Sequence, residues 1–264
     1  MARRARLDAE LVRRGLARSR EQAAELIEAG RVRVGGQTAS KASTAVDAAT
    51  PVLVAEAAGP SYVSRGGHKL AGALDAFGYD PGGKRALDAG ASTGGFSDVL
   101  LQRGAAHVVA VDVGYGQLAW SLQSDARVTV VDRTNVRALT LEQVGEPVDL
   151  VVADLSFIPL GLVLPALVAC CRPGADLLPM VKPQFEVGRE RLPAGGVVRD
   201  PEHRAGAVRT VAAQAAQLGL GVRGVTASPL PGPSGNVEFF LWLQAGAPPL
   251  DEAALQAAVA AGPQ

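Results

Sequence analysis

Five short apolar runs, each separated from the next by a segment with helical spacing, are the feature that most constrains how this chain can fold. Such alternation predicts βαβ units, in which parallel strands form one sheet and helices cover both of its faces. Four runs end on an aspartate and the fifth ends on a lysine, so polar side chains are expected together at the carboxyl ends of the strands. The runs are residues 85–88, 107–112, 128–132, 148–154 and 176–182.

Two further strands are predicted at residues 221–228 and 237–243, joined by the tight turn PLPGPSGN. A turn this short joins antiparallel neighbours, so the pair is expected to form a hairpin at one edge of the sheet. Residues 66–264 are therefore predicted to form an α/β domain with a seven-stranded, mostly parallel, Rossmann-like sheet.

The first 58 residues differ from the rest in pattern and charge. A helical pattern with Ser19 as its N-cap and Gly30 as its stop is followed by short strands, which predicts a small α+β domain and then a linker at residues 59–65. Residues 1–65 contain 11 Lys and Arg against 7 Asp and Glu, whereas the remainder contains 15 against 19. A basic head on a mildly acidic body favours a polyanionic partner. The candidates for phosphate contacts are Arg3, Arg4, Arg6, Arg18, Arg20 and Lys41.

A glycine loop, ALDAGASTGGF at residues 86–96, coincides with the end of the first strand of the large domain. Its glycines lack a Cβ atom, so the backbone can approach a ligand at the edge where open α/β sheets bind their ligands. Asp112, which comes 22 residues after Gly90, is expected to accept the hydroxyl protons of a ribose. Asp132 is expected to accept a proton from an adenine amino group. Both NAD and S-adenosylmethionine carry these groups.

The spacing within the glycine loop distinguishes these two cofactors. It departs from GxGxxG, whose glycines fit a pyrophosphate, and its DxGxxxGG form resembles the first motif of class I methyltransferases. S-adenosylmethionine is therefore the expected cofactor, with NAD as its rival. The expected cofactor contacts are Asp88, Gly90, Ala91, Ser92, Thr93, Gly94, Gly95, Phe96, Asp112, Asp132 and Asp154.

The later strand ends indicate the acceptor of the methyl group. DLSF stands after the fourth strand in place of the NPPY-type motif of amino-group methylation, and the chain has no Pro-Cys nucleophile for pyrimidine carbons. A ribose hydroxyl is a poor nucleophile and needs a base while it attacks. A lysine whose charged form is disfavoured can take that proton, carboxylates can orient the amines, and no metal is required. The candidates, Lys69, Asp154, Lys182 and Glu238, resemble in their order the catalytic tetrad of FtsJ-like ribose 2′-O-methyltransferases.

The whole chain resembles the TlyA family, also called hemolysin A, through long strings such as VSRGGHKL, DAGASTGGF, VKPQFEVG and SPLPGPSGNVEFFLWL. Its basic head resembles the RNA-binding module of ribosomal protein S4. The resemblance implies 2′-O-methylation of cytidine in the ribosomal RNA of the large subunit. The Arg-rich start and the tail beyond Leu250 resemble the longer type, which also modifies the small subunit, and the family affects susceptibility to capreomycin and viomycin. Arg65, His68 and Arg133, around the expected pocket, would extend the RNA-contacting surface.

Two other classes of function are open to this sequence. A ribosome-binding factor could keep the fold without catalysis, and a membrane-active hemolysin is suggested by the second name of the family. The complete set of four polar residues disfavours the first, and the lack of a signal peptide or spanning segment disfavours the second. The only cysteines, Cys170 and Cys171, cannot build a disulfide framework. The chain is expected to be cytoplasmic and monomeric.

Overall fold

The chain divides into two compact units, residues 1–61 and residues 62–264. The computed structural model describes residues 4–17, 19–28, 30–55, 60–188 and 190–263.

The first unit is a small α+β fold with these elements: β1 Ala5–Arg6, α1 Leu7–Arg13, α2 Arg20–Glu28, β2 Val32–Val34, β3 Gln37–Thr38, β4 Ala45–Val46 and β5 Val52–Val54. β2 lies between β3 and β5 in an antiparallel sheet, and β1 pairs with β4. Ser19 Oγ accepts a hydrogen bond from the backbone N–H of Gln22 at 3.2 Å and so begins α2. Leu11, Ile27 and Val32 are buried in its core.

The second unit holds the longer part of the chain, and its elements follow one another as alternating helices and strands. They are α3 Arg65–Phe77, β6 Arg85–Ala89, α4 Gly95–Gln102, β7 His107–Val111, α5 Trp120–Gln123, β8 Val128–Val131, α6 Leu141–Val144, β9 Val148–Ala153, α7 Leu164–Ala169, β10 Cys171–Val181, α8 Pro183–Glu186, α9 Pro201–Gln217, β11 Leu220–Ala227, β12 Phe239–Ala245 and α10 Glu252–Ala261.

The strands of this unit form one seven-stranded sheet in the order β11-β12-β10-β9-β6-β7-β8. Five strands run parallel, and β12 is antiparallel to both of its neighbours, β10 and β11. The predicted fold class is therefore confirmed. Alternate residues along the central strands face two separate cores: Val109 and Val151 pack on one face of the sheet, Val108 and Leu150 on the other.

Two strands depart from their predicted bounds. β10 begins at Cys171, before the apolar run, and its register with β9 is irregular between Cys171 and Asp176. β12 begins only at Phe239, because the residues before it close the preceding turn, where Gly232 N donates to Asn236 O at 2.8 Å. Within the described residues, no helix has the length and apolar character needed to cross a bilayer.

Parallel strands place their carboxyl ends at one edge of a sheet, here called the carboxyl edge. The loops that follow β6, β7, β8, β9 and β10 all lie there. Because β12 is antiparallel, the segment just before it lies at the same edge. Residues far apart in sequence, from the glycine loop to Glu238, are therefore brought to one side of the sheet.

Candidate active site

The glycine loop packs closely against the loop that follows β9. Gly90 has a φ of 87°, and a Cβ atom there would lie 2.6 Å from the backbone oxygen of Asp154. The backbone N–H groups of Gly90 and Ala91 both donate to Val111 O, at 2.8 and 3.0 Å. Gly94 has a φ of 98°, and a Cβ there would clash with Leu122. The glycines are required by both conformation and space.

Asp88, at the end of β6, is fully buried and has one unpaired oxygen. Its Oδ2 accepts from the backbone N–H of Ser97 at 2.9 Å and from Ser97 Oγ at 2.7 Å, whereas Oδ1 has no partner among the described residues. Burial, together with the nearby charges of Asp154 and Asp112, raises the pKa of Asp88 to about 7, although the hydrogen bonds from Ser97 act in the opposite direction. A buried carboxylate in acidic surroundings favours a ligand that brings a positive charge or a hydrogen-bond donor.

Asp112 and Asp132 are held at the neighbouring strand ends by backbone donors. Asp112 accepts from Ser92 N at 2.8 Å and from Gly114 N at 2.7 Å. Asp132 Oδ2 accepts from Gly116 N at 2.9 Å. Each carboxylate oxygen keeps a second acceptor position, which suits hydroxyl and amino groups of a bound nucleoside.

These groups fit S-adenosylmethionine, which carries an ammonium, a sulfonium and a nucleoside. Residues 86–96 contain no lysine or arginine, so the loop offers acidic and backbone groups only, and a pyrophosphate would meet uncompensated carboxylates. Ser92, with a φ of 48°, and Thr93 are exposed in the loop, as expected for ligand contacts. The buried ring of Phe96 lies 5.9 Å from that of Phe240 and belongs to the core.

The four residues predicted to be catalytic form two ion pairs in the structure. Lys69 Nζ, on α3, lies 2.5 Å from Glu238 Oε2, just before β12. Lys182 Nζ, after β10, lies 2.5 Å from Asp154 Oδ1, after β9. Asp154 Oδ1 has no hydrogen-bond partner among the described residues, so this contact is an ion pair, and Ser156 Oγ accepts a hydrogen bond from Lys182 Nζ at 2.9 Å.

Burial of these two ion pairs costs desolvation free energy. The side chains of Lys69 and Glu238 are 9% and 1% exposed, and those of Lys182 and Asp154 are 10% and 24% exposed. A buried ion pair adds little stability over an apolar pair, yet losing one partner costs about 3–5 kcal/mol because a charge is left unpaired. The arrangement holds two amines and two carboxylates in fixed positions beside the glycine loop.

Two further contacts join the loop after β9 to α8 and were not predicted from the sequence. Glu186 Oε1 accepts from Leu160 N at 2.8 Å. Phe157, 90% exposed with a φ of 65°, lies with its ring 5.2 Å from that of Phe185. Burial raises the pKa of Glu186 to about 7. The string VKPQFEVG carried the only signal, since Phe185 and Glu186 follow Lys182 directly.

The predicted RNA contacts of the second unit are exposed. Arg65 lies on the first turn of α3, and the ring of His68 meets that of Tyr62 edge-on at 5.1 Å. Arg133, with a φ of 53°, places its guanidinium 4.1 Å from the centre of the Tyr115 ring. Exposed cations with aromatic neighbours suit RNA, and Tyr115 was not among the predicted contacts.

Two of the predicted contacts of the first unit form ion pairs with an aspartate of the same unit. Arg6 and Arg20 both bind the buried Asp8, at 3.0 and 2.9 Å, and the Arg6 hydrogen bonds hold the pKa of Asp8 well below its usual range. Arg4 and Lys41 are exposed. Arg3 and Arg18 lie outside the described residues.

Comparison with known proteins agrees with this geometry. Residues 62–245 match the family described as FtsJ-like methyltransferase, and residues 5–50 match the S4 domain. The chain is 64% identical to the 16S/23S rRNA (cytidine-2′-O)-methyltransferase TlyA of Mycobacterium tuberculosis (strain H37Rv) over 244 residues, 92% of this chain and 91% of that one. It is 44% identical to the putative rRNA methyltransferase YqxC of Bacillus subtilis (strain 168), covering 90% of this chain and 85% of the relative.

A solved structure described as a putative hemolysin from Streptococcus thermophilus superposes with a TM-score of 0.78 at 37% identity, covering 98% of this chain and 96% of that one. Sheet, glycine loop and acidic strand ends define an S-adenosylmethionine-dependent methyltransferase with the class I fold. The chain belongs to the TlyA family and joins an S4 domain to an FtsJ-like methyltransferase domain.

Proposed function

We propose that this chain methylates the 2′-hydroxyl of a cytidine in ribosomal RNA, the reaction named for its relative from M. tuberculosis. The observation that carries the proposal is the pair of lysine–carboxylate contacts, Lys69–Glu238 and Lys182–Asp154. They lie at the carboxyl edge beside the glycine loop, which is the proposed cofactor loop. The S4 match adds an RNA-binding unit with exposed cations.

The proposed substrates are both ribosomal subunits, since the name of that relative includes 16S and 23S ribosomal RNA. Ribosomal subunits are assembled in the cytoplasm, so we place the activity there. We propose that the chain acts as a monomer, because all four tetrad residues come from one unit of one chain. We propose that Lys182 is the base, that Asp154 and Glu238 orient the amines, and that Lys69 is the second cation.

S-adenosylmethionine, when bound, supplies a methyl group on a positively charged sulfur that leaves as a neutral thioether. The chain must hold the ribose hydroxyl in line and take its proton. We assign Lys182 Nζ as the group that accepts that proton as the hydroxyl oxygen attacks. Asp154, 2.5 Å away, stabilises the ammonium that results, and Ser156 accepts one of its hydrogens at 2.9 Å.

Lys69 has a different role, because a directed hydrogen bond to Glu238 holds its amine, whereas Asp154 Oδ1 has no such bond to Lys182 among the described residues. The Lys69 amine donates to the oxygen atoms of the ribose. Its positive charge also stabilises negative charge that develops on the attacking oxygen. Glu238 fixes the direction of the amine.

Two alternative functions account for fewer of these features. A ribosome-binding factor without catalysis has no need for four buried charges beside a cofactor loop. A membrane-active hemolysin needs neither that loop nor an S4 unit. We therefore argue for the methyltransferase alone.

The test is transfer of radiolabelled methyl from S-adenosylmethionine to purified large and small ribosomal subunits, followed by mapping of the modified nucleotide. We expect label on a cytidine ribose of unmodified subunits, and none on subunits that already carry the modification. Label on a base, or no label on either subunit while the cofactor still binds, contradicts the proposal.

A further inference from the structure

A cavity of about 540 Å³ is lined in part by the turn that leads to Glu238, and it takes no part in the proposed methyl transfer. Ser234 and Gly235, in the turn before β12, form one wall. Arg199, Pro201 and Arg204 form another, at the start of α9. Since α9 follows the parallel strand β10, and the turn precedes the antiparallel strand β12, both walls belong to the carboxyl edge.

Asn236 fastens the two walls together. Its Oδ1 accepts from Val198 N at 2.9 Å, and its Nδ2 donates to Gly196 O at 2.9 Å. Asn236 is 2% exposed, and a Cβ atom on Gly232 would lie 2.7 Å from Glu238 Oε1. The cavity and the proposed catalytic carboxylate are thus parts of one closely packed turn.

The third wall comes from the C-terminal helix. Gln256, Val259 and Ala260 of α10 line the cavity, and a Cβ atom on Gly262 would lie 2.6 Å from Val237 Cγ1. α10 begins after residue 245, where the match to the FtsJ-like family ends. This wall is therefore an addition to the methyltransferase domain that the family describes.

The cavity carries two positive charges that the described residues do not neutralise. None of the described residues lining it is acidic. Arg204 Nε donates to Val198 O at 2.9 Å, but no carboxylate in the described part of the chain lies within ion-pair distance of Arg204, and burial lowers its pKa. Arg199 is exposed and makes no hydrogen bond or ion pair with a described residue.

Another arginine of the same helix shows the contrast. Arg209 binds Glu202 and Glu252, both at 2.5 Å, as surface arginines of a helix commonly do. The guanidinium groups of Arg199 and Arg204, by contrast, have no carboxylate partner among the described residues, so their remaining N–H groups can bind an anion. The cavity therefore favours an anion with several acceptor oxygens, which the forked guanidinium groups can bind in pairs.

We propose that Arg199 and Arg204 bind a phosphodiester group of the RNA strand close to the target nucleotide. This inference rests on the proposed function, because it takes RNA as the substrate that reaches Glu238. An RNA strand laid across the carboxyl edge brings its backbone past this cavity. The apolar side chains of Val197 and Val259 suit the adjoining sugar, and backbone contacts of this kind position a strand without reading its sequence.

The test measures binding of the full chain to purified, unmethylated large ribosomal subunits at several salt concentrations. Arg199→Gln and Arg204→Met each remove one cation and are expected to raise the Kd about five- to tenfold near 0.1 M salt. The slope of log K against log salt should fall by about one for each lost phosphate contact. Arg199→Lys should recover part of the affinity.

Arg172→Gln is the matched control, since Arg172 is an exposed arginine at the start of β10, on the opposite edge of the sheet. It should bind subunits like the wild type. Cofactor affinity, measured by calorimetry, and the melting temperature should be unchanged in Arg199→Gln, which separates lost binding from misfolding. Wild-type subunit affinity in both Arg199→Gln and Arg204→Met overturns the proposal.

Two further outcomes also overturn it. Weaker binding with an unchanged salt slope indicates that the cavity holds an acidic segment of a ribosomal protein. Stabilisation by inorganic phosphate that is lost in the variants, without any change in subunit binding, indicates a site for free anions. If wild-type chain binds subunits through these arginines but transfers no methyl group, the proposed function fails and the phosphate site stands.

Discussion

Glu186 Oε1 accepts a hydrogen bond from the backbone N–H of Leu160 at 2.8 Å, and this bond ties α8 to the loop after β9. Lys182 lies just before α8, and Asp154 lies at the start of that loop. The Lys182–Asp154 pair, 2.5 Å apart, is therefore held in place by a second contact between the same two segments, the bond from Leu160 N to Glu186. Glu186 is a positioning residue in this arrangement.

Glu186 should make the stability of the cofactor-free chain depend on pH. Burial raises its pKa from 4.5 to about 7, so the folded state keeps a proton that the unfolded chain has lost. The free energy of unfolding therefore falls as pH rises from about 4.5 to about 7. Glu186→Gln keeps an acceptor for Leu160 N but does not titrate, so it lacks this fall in the free energy of unfolding. Its melting temperature should therefore change less over that pH range.

The measurement is the difference between the melting curves of the wild type and Glu186→Gln at each pH, which cancels the other titrating groups. Arg191, Glu202 and His203 line the small cavity around Glu186 and are present in both proteins. Asp88→Asn is the companion control. The pKa of Asp88 is also raised in the folded state, so this variant should remove a separate part of the dependence of stability on pH. Parallel curves for wild type and Glu186→Gln would refute the assignment.

Lys182→Ala should lower the rate of methyl transfer by about 10²–10⁴-fold, the usual contribution of a general base. Cofactor affinity, measured by calorimetry, should stay near the wild-type value, because the acidic groups of the cofactor loop are unchanged. Lys84→Ala is the matched control: it removes another lysine–aspartate pair, Lys84–Asp176 at 3.2 Å, from the opposite edge of the sheet. We expect it to lower stability without a comparable loss of rate. Equal rate losses in both variants would mean that Lys182 acts only through stability.

The strand ends were predictable from the sequence because apolar runs and their terminal aspartates are local patterns. Asp88, Asp112 and Asp132 follow from such patterns. The partner of each lysine was not predictable, because Lys69 and Glu238 are 169 residues apart and meet only through the sheet order. The cavity that contains Arg199 and Arg204 was also not predictable from the sequence, because it forms only when α10 packs near the turn before β12.

Arg6→Gln and Arg20→Gln should each weaken binding to ribosomal subunits and leave cofactor affinity unchanged. Both arginines are more than half exposed, at 52% and 57%, and their spare N–H groups can reach phosphates. Each variant leaves Asp8 with one remaining arginine, so folding should be largely preserved. The double variant leaves Asp8 buried without a cation and should melt at a lower temperature than the sum of the single effects predicts.

Subunit binding, cofactor binding and melting temperature are measured on all three proteins. Asp8→Asn separates the two roles, since it frees both arginines while keeping their charges. It should lower stability yet retain subunit affinity in the folded fraction. A loss of cofactor affinity in either single variant would show that these residues act through the fold rather than through RNA.

Gly90→Ala should reduce cofactor affinity and methyl transfer together. At a φ of 87° the alanine is strained, and its Cβ would lie 2.6 Å from Asp154 O, which is backbone and cannot rotate away. The glycine loop must move away from Asp154, which follows β9, and the carboxylates of Asp88 and Asp112 move relative to each other. Gly219→Ala is the control: Gly219, in the turn between α9 and β11, has a φ of 77° and no atom within 4 Å of a Cβ, so this variant is strained without a collision.

Calorimetric titration with S-adenosylmethionine and melting curves distinguish the two glycines. Strain alone costs about 1–2 kcal/mol for an alanine in this region and should appear in the melting temperature of both variants. The collision adds a loss of cofactor affinity that only Gly90→Ala should show. If Gly219→Ala loses as much affinity as Gly90→Ala, general destabilisation and not the contact with Asp154 accounts for the loss.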